Sequence, residues 1–262
     1  MELRMDDRVA LITGGSDGLG RAMAHAFSAS GASVAIAARG QEKLNSACAA
    51  ISQATGHRIE AYAADVSDAG QIAALYDKVT ADLGQVDILV NNAGTSQTGR
   101  FEEVTDEIWQ ADLDLKLMAA IRLCRLVLPG MKERRWGRII NVLNTAAKAP
   151  SGGSAPTSVS RAAGMALTKV LAGEGAAHNV LANALCTGII ESGQWDRRFE
   201  AQGAGKTKDE FLADMAKERG LPIGRLGTAA EFANMACFLA SDAGSYINGT
   251  AINVDGGLSP VV

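Results

Sequence analysis

The stretch from Val9 to Gly20, VALITGGSDGLG, joins a run of apolar residues directly to a glycine-rich turn. Glycines allow a backbone to approach a pyrophosphate closely, and the N-terminus of the following helix offers free N–H groups and the positive end of its dipole. A glycine pattern alone is weak evidence, but here it follows the first strand and opens the first helix. The stretch therefore predicts a dinucleotide-binding strand–turn–helix unit.

The remainder of the chain alternates short apolar runs with longer helical patterns. The helices are predicted over Leu19–Ser30, Gln41–Thr55, Asp68–Leu83, Asp106–Arg134, Ser158–Ala177 and Ala229–Ser241. The strands are predicted over Val9–Thr13, Ser33–Ala38, Arg58–Ala63, Asp87–Asn91, Arg138–Leu143, Val180–Leu185 and Ala251–Val254. This alternation favours an α/β fold in three layers, with a doubly wound parallel sheet of about seven strands. We expect one domain over residues 1–262, with residues 191–222 as a lid over a binding site.

Composition excludes several classes of function. The net charge is −4 and no basic run occurs, which argues against nucleic acid as a partner. No apolar run reaches the roughly 18 residues that a membrane span needs, and no signal peptide is evident. Four scattered cysteines without a CxxC pattern indicate reduced thiols in a cytoplasmic protein, and the three histidines show no metal-ligand spacing. We expect neither a membrane partner nor a metal site.

Three motifs at successive strand ends resemble those of the short-chain dehydrogenase/reductase family. They are the GxxxGxG turn, Asp65-Val66 after the third strand, and Asn91-Asn92-Ala93-Gly94 after the fourth. The resemblance extends to Asn248–Gly257 and implies a Rossmann-type oxidoreductase acting on a small-molecule carbonyl or alcohol. It implies adenine contacts at Asp65 and Val66. The further cofactor contacts that it implies are Gly14, Ser16, Asp17, Gly18, Leu19, Asn91, Ala93, Gly94, Ile190 and Ser192. It also implies a homodimer or homotetramer, and the apolar stripe of the Asp106–Arg134 helix could supply an interface.

The end of the second strand favours NADP(H) over NAD(H). An NAD-binding relative usually carries an acid here for the ribose 2′-hydroxyl, whereas this chain has Ala38 followed by Arg39. A guanidinium can pair with a 2′-phosphate through two hydrogen bonds. Asp17 counts in the other direction, because an acid in the glycine turn would repel that phosphate.

The catalytic motif departs from the family pattern of Asn, Ser, Tyr and Lys. The stretch TSVSRAAG places Thr157 at the Tyr position and Arg161 at the Lys position, while Asn144 and Asp114 match the Ser and Asn positions. A Thr hydroxyl is a poor acid near pH 7, and Arg161 can hold ribose hydroxyls but cannot release a proton. Asn144 can still donate an N–H to a substrate oxygen. A similar pattern occurs in a divergent subgroup that resembles 3-oxoacyl-(acyl-carrier-protein) reductases.

Proton delivery is therefore the open question. Asp114 or Lys148 could deliver a proton through water. Lys116 could also be considered, but for this residue an orientation toward solvent is an equal alternative. We expect weak activity on ordinary ketoacyl substrates if carbonyl reduction is retained. The alternatives are a non-redox enzyme on the same scaffold and a nucleotide-binding protein without turnover.

Overall fold

The computed structural model describes residues 3–191, 199–201, 203 and 205–262. Its main sheet contains seven parallel strands in the order β3-β2-β1-β4-β6-β8-β9. These strands are β1 (Val9–Thr13), β2 (Ser33–Ala38), β3 (Ile59–Ala63), β4 (Ile88–Asn91), β6 (Gly137–Asn144), β8 (Val180–Thr187) and β9 (Ala251–Val254). Two short strands, β5 (Thr98–Gly99) and β7 (Ala155–Pro156), form a separate antiparallel pair. The predicted doubly wound sheet of seven strands is confirmed.

The helices cover both faces of this sheet because alternate strand residues are apolar on both sides. They are α1 (Gly18–Ala29), α2 (Gln41–Thr55), α3 (Ala69–Leu83), α4 (Asp106–Leu113), α5 (Ala119–Arg134), α6 (Thr157–Gly175), α7 (Lys208–Glu218) and α8 (Ala229–Ala240). In β1, Ile12 belongs to a core cluster with Phe27 of α1 and Phe232 of α8. The neighbouring Leu11 belongs to the opposite cluster, with helices α3, α5 and α6. The three layers follow from this alternation.

The predicted single helix over Asp106–Arg134 is wrong in one respect. A π-helical turn over Asp114–Met118 separates α4 from α5, and the Ala119 N–H bonds to the Asp114 carbonyl five residues earlier. The apolar stripe of Asp106–Arg134 is also buried unevenly. Met131 is fully buried in the core, whereas Leu113, Leu117 and Ile121 stay partly exposed. A π turn adds one residue to the local repeat, so the side chains before and after it change phase.

The predicted lid is described only in part. Its described portion includes α7, which begins with a capping box between Thr207 and Glu210. One face of α7 forms a small apolar cluster with Leu221 and Leu226. Ser192, expected to contact the cofactor, lies outside the described residues. Within the described ranges, no helix is both long and apolar enough to cross a membrane.

Candidate functional site

The glycine turn brings the start of α1 close to the carboxyl end of β1. Gly14 has a φ of +67°, a left-handed conformation that favours glycine. A Cβ on Gly20 would lie 2.2 Å from the Gly14 carbonyl oxygen, so a side chain there would force the turn open. The Asp17 carboxylate caps α1 by accepting the Gly18 N–H at 2.7 Å. The turn thus has the geometry that a bound pyrophosphate requires.

Two polar residues that sequence reasoning missed connect this turn to the end of β4. The Thr13 hydroxyl accepts the Asn92 and Ala93 N–H groups, both at 3.0 Å. The Asn92 side-chain amide donates to the Thr13 carbonyl at 2.8 Å. In the sequence, Thr13 could have been noticed as a polar residue at the end of an apolar strand. Asn92 lies within the Asn91–Gly94 motif. Together they fix the distance between the two loops that face the cofactor groove.

The first cavity of the groove, of about 380 Å³, lies beside this turn. Seven of the predicted cofactor contacts line it: Gly14, Asp17, Gly18, Leu19, Asn91, Ala93 and Gly94. Two buried polar atoms at its wall have no hydrogen-bond partner, Oδ1 of Asn91 and Nε of Arg161. Buried polar atoms are normally paired, so these two atoms fit a polar ligand, such as the ribose and the nicotinamide ring of a dinucleotide.

A second cavity of about 380 Å³ continues the groove over the ends of β2 and β3. The predicted contacts Ser16, Arg39, Asp65 and Val66 line it, and it shares Gly14, Ala93 and Gly94 with the first cavity. Lys43 of α2 also lines it and was not predicted. Hydrogen bonds from Ser67, with the side chain as the largest cause, lower the pKa of Asp65. The cavity therefore presents two cations, Arg39 and Lys43, beside an ionised aspartate.

Asp17 lies away from those two cations. Its carboxylate is committed to the α1 cap, and the residue lines the first cavity rather than the second within the described chain. The expected repulsion between Asp17 and a 2′-phosphate near Arg39 is therefore weakened by its placement.

The catalytic motif folds into a network of buried polar side chains between α4, the π turn and α6. The Thr157 hydroxyl accepts hydrogen bonds from Nζ of Lys116, at 2.6 Å, and from the Arg161 guanidinium. Lys116 also pairs with the Asp112 carboxylate, whose second oxygen accepts the Ser160 hydroxyl at 2.6 Å. The Lys116 side chain is only 6% exposed and that of Asp112 is 1% exposed. Of the two orientations that the sequence left open for Lys116, the structure shows the buried one and not the one that faces solvent.

Burial governs the electrostatics of the two cations in this network. It lowers the pKa of Lys116, and the neighbouring Arg161 charge lowers it further, while Asp112 acts in the opposite direction. Burial also lowers the pKa of Arg161, against the attraction of Asp112. Of the described residues that line the first cavity, Lys116 and Arg161 are the two with cationic side chains. Thr157 lies behind them, 2% exposed, and holds both.

The other two candidates for proton delivery lie elsewhere. The Asp114 carboxylate accepts from Gln110 at 2.8 Å and from Arg122 at 3.4 Å, and the residue is outside the described lining of the first cavity. Lys148 donates to the Ala251 carbonyl at 2.5 Å and is likewise outside that lining. The hypothesis that Asp114 or Lys148 delivers the proton therefore gains no support from the cavity lining, which includes Lys116 of the π turn instead.

Asn144 and Ile190 are outside the described lining of the first cavity, although Leu143, which precedes Asn144, and Thr187, which pairs with it across the sheet, line that cavity. Asn144 ends β6, and its buried Oδ1 has no hydrogen-bond partner. That oxygen is free to pair with a donor, while the amide nitrogen can still donate to a substrate oxygen. Ile190 follows β8 and forms an isolated bridge with Gly227, which fixes the start of the lid segment.

Comparison with known proteins supports the family and the fold. A family model described as enoyl-(acyl carrier protein) reductase matches residues 14–259. The 3-oxoacyl-[acyl-carrier-protein] reductase FabG of Escherichia coli is 33% identical over 256 residues, which cover 98% of this chain and 99% of that protein.

Two solved structures are similar over nearly the whole chain. One is L-sorbose reductase from Gluconobacter frateurii in complex with NADPH and L-sorbose, with a TM-score of 0.93, 34% identity and full coverage of both chains. The other is an NADPH-bound short chain oxidoreductase from Pseudomonas aeruginosa PAO1 that contains an atypical catalytic center. It has a TM-score of 0.92 and 38% identity, with 99% of each chain covered.

Proposed function

The chain belongs to the short-chain dehydrogenase/reductase family of oxidoreductases, and from this premise we propose that it transfers a hydride between NADP(H) and a small carbonyl or alcohol substrate. The observation that carries the proposal is the continuous groove formed by the two cavities along the carboxyl edge of the sheet. Unpartnered Asn91 Oδ1 and Arg161 Nε at its wall fit the polar groups of a dinucleotide. When bound, the dinucleotide supplies or accepts the hydride.

The residues of the groove then divide the work of binding. We assign the diphosphate to the turn that holds Ser16, Gly18 and Leu19, and the adenosine to Asp65 and Val66. Arg161 holds the nicotinamide ribose, since its charge is retained at any physiological pH. Asn144 donates an N–H to the substrate oxygen, and Thr157 keeps the two cations in position. We assign Ile190 and Ser192 to the nicotinamide amide.

Arg39 and Lys43 support the preference for NADP(H). Both line the adenosine cavity, beyond the alanine that ends β2, and a 2′-phosphate carries the charge that they would neutralise. Fluorescence titration of NADPH and NADH tests the preference. Arg39→Ala removes a charged hydrogen-bond donor worth about 1.5–3 kcal/mol, so NADPH affinity should fall about 10- to 100-fold. NADH affinity should change little.

Arg58→Ala is the matched control, because Arg58 is exposed and pairs with Glu60 at the other end of β3. It should leave both affinities unchanged. Equal losses for NADPH and NADH in Arg39→Ala, or no binding of either by the wild-type protein, would contradict the proposal.

A nucleotide-binding protein without turnover is the second candidate. The observation that favours it is Thr157, which stands where the family places its acid and is used as an acceptor by two cations. A panel that includes L-sorbose and acetoacetyl-CoA separates the candidates, because only an oxidoreductase oxidises NADPH in their presence. We expect turnover to be weak on the ketoacyl thioester.

Assembly and location complete the proposal. Leu113, Leu117 and Ile121 stay partly exposed along α4, the π turn and α5, and can pair across a two-fold axis in a homodimer or homotetramer. All four cysteines are free thiols, the state that is maintained in the cytoplasm. We therefore propose a cytoplasmic oligomer.

A further inference from the structure

We propose that Lys116 donates the proton to the substrate oxygen, taking the part that the family gives to a tyrosine. This inference rests on the proposed oxidoreductase function and names the acid of that same site. The first argument is position. Lys116 lines the first cavity together with Arg161, whereas Thr157 lies behind them. Of these three side chains, only the lysine combines a place at the wall with a proton that it can release.

The second argument is that the ammonium group is held in place with one N–H to spare. A lysine ammonium has three donors. One bonds to Asp112 and one to the Thr157 hydroxyl, at 2.6 Å, so the third N–H remains available to a ligand in the cavity that the residue lines. Asp112 is fixed in turn by the Ser160 hydroxyl of α6. Asp112, Thr157 and Ser160 are therefore positioning residues for Lys116.

The third argument is electrostatic. The charged groups that face Lys116 are Asp112 from α4 and Arg161 from α6. Burial and the Arg161 charge lower the pKa of the ammonium, while Asp112 raises it. General acids work best when their pKa lies near the operating pH, and burial of a lysine beside a second cation is a known way to approach that value.

Proton transfer from Lys116 completes the reduction of the substrate. In the reductive direction, the substrate carbon gains the hydride from the reduced dinucleotide, and the carbonyl π pair moves to oxygen. The Nζ–H bond of Lys116 then breaks, the proton forms the O–H bond of the alcohol, and a neutral amine remains. Exchange with an acid of the solvent, hydronium or a protonated buffer, then returns a proton to the amine. In the oxidative direction, the neutral amine removes the alcohol proton.

The first test measures the charge state of Lys116 without any turnover. The wild-type protein is produced with lysine carrying carbon-13 at Cε, and each resonance is followed as a function of pH in the absence of nucleotide. Lys116→Arg assigns the resonance by its loss. We expect this lysine to titrate below the ordinary lysine value of about 10.4. Titration at or above that value would overturn the proposal.

The second test replaces Lys116 by arginine and measures NADPH oxidation with L-sorbose and acetoacetyl-CoA. Arginine keeps the positive charge beside Asp112, so the fold should survive, but it cannot release a proton. Loss of a general acid should lower kcat about 10²- to 10⁴-fold. The NADPH dissociation constant, from fluorescence titration, should change far less. Lys132→Arg on the outer part of α5, where the lysine pairs with Glu174, is the matched control and should keep wild-type kcat.

The outcomes distinguish this inference from the function on which it rests. No NADPH oxidation by the wild-type protein with either probe refutes both. Wild-type turnover that survives in Lys116→Arg refutes only the assignment of Lys116. Loss of turnover in Asp114→Asn or Lys148→Arg, with Lys116→Arg unaffected, would transfer the role to one of those residues.

Discussion

Replacing Asp112 by asparagine should destabilise the protein strongly. The carboxylate is almost fully buried, faces the Lys116 ammonium and accepts the Ser160 hydroxyl at 2.6 Å. Asparagine keeps the shape and one acceptor, so the loss is mainly electrostatic. An unpaired buried charge costs about 3–5 kcal/mol of unfolding free energy. At about 2–4 °C per kcal/mol for a domain near this size, Tm should fall by about 6–20 °C.

Thermal and urea unfolding, followed by circular dichroism at a fixed protein concentration, provide the assay. Lys116→Met should cost a similar amount because it leaves the carboxylate unpaired. The double variant Asp112→Asn/Lys116→Met removes both charges, so its loss should be much smaller than the sum of the two single losses.

Two results of these unfolding experiments would contradict the prediction. If each single variant loses less than about 1 kcal/mol, the pair behaves as an exposed ion pair. If the losses of the single variants simply add in the double variant, the two groups are not coupled. Either result would refute the buried network on which the role of Lys116 depends.

Three further predictions concern activity and assembly. The rate of carbonyl reduction should fall as pH rises through the lowered pKa of Lys116, because only the ammonium can donate a proton, while alcohol oxidation should rise over the same range. A kcat profile that stays flat up to the ordinary lysine pKa of about 10.4 would contradict this. Arg161→Ala should weaken NADPH binding, measured by fluorescence, more than Thr157→Ala changes turnover; abolition of ordinary turnover by Thr157→Ala would make Thr157 the catalytic residue. Light scattering at micromolar concentration should report a dimer or tetramer, and Ile121→Asp should shift it toward monomer; a wild-type monomer would contradict the proposed interface.

The strands were predictable because each is nearly continuous in apolar residues. Val9–Thr13, Ser33–Ala38 and Ala251–Val254 have the predicted bounds, and the other main strands differ by one or two residues at an end. Both faces of a parallel sheet are covered, so burial alone dictates the composition of its strands. The short pair β5 and β7 was missed, since two-residue strands carry no periodic signal.

The groove was predictable for a different reason. Glycine turns and strand-end polar residues are tied to their strands, and parallel strands bring their carboxyl ends to one edge. Asp65, Asn91, Arg39 and Asp17 could therefore be placed at the groove from sequence, whereas Lys43 could not. The cavity that Lys43 lines depends on the direction of its side chain on α2.

The catalytic side was not predictable because it depends on helical phase. The apolar pattern runs through Asp106–Arg134 without a break, and nothing in it marks the π turn. Lys116 lies within this turn and lines the cavity, whereas Asp114 at the start of the turn does not. Sequence matching selected Asp114, whose carboxylate pairs with Arg122 in the structure.

The π turn over Asp114–Met118 also sets which changes in chain length this gene can tolerate. Deleting one codon there would restore an ordinary α-helical repeat. Each residue of an α-helix turns the chain by about 100°, so α4 would rotate by that angle relative to α5. If Leu117 or Met118 is the residue lost, Asp112 and Lys116 would rotate together and lose their contacts with Ser160 and Thr157 of α6, without any residue of the network having been substituted. An alignment gap at this position would therefore be a warning that a relative has different chemistry.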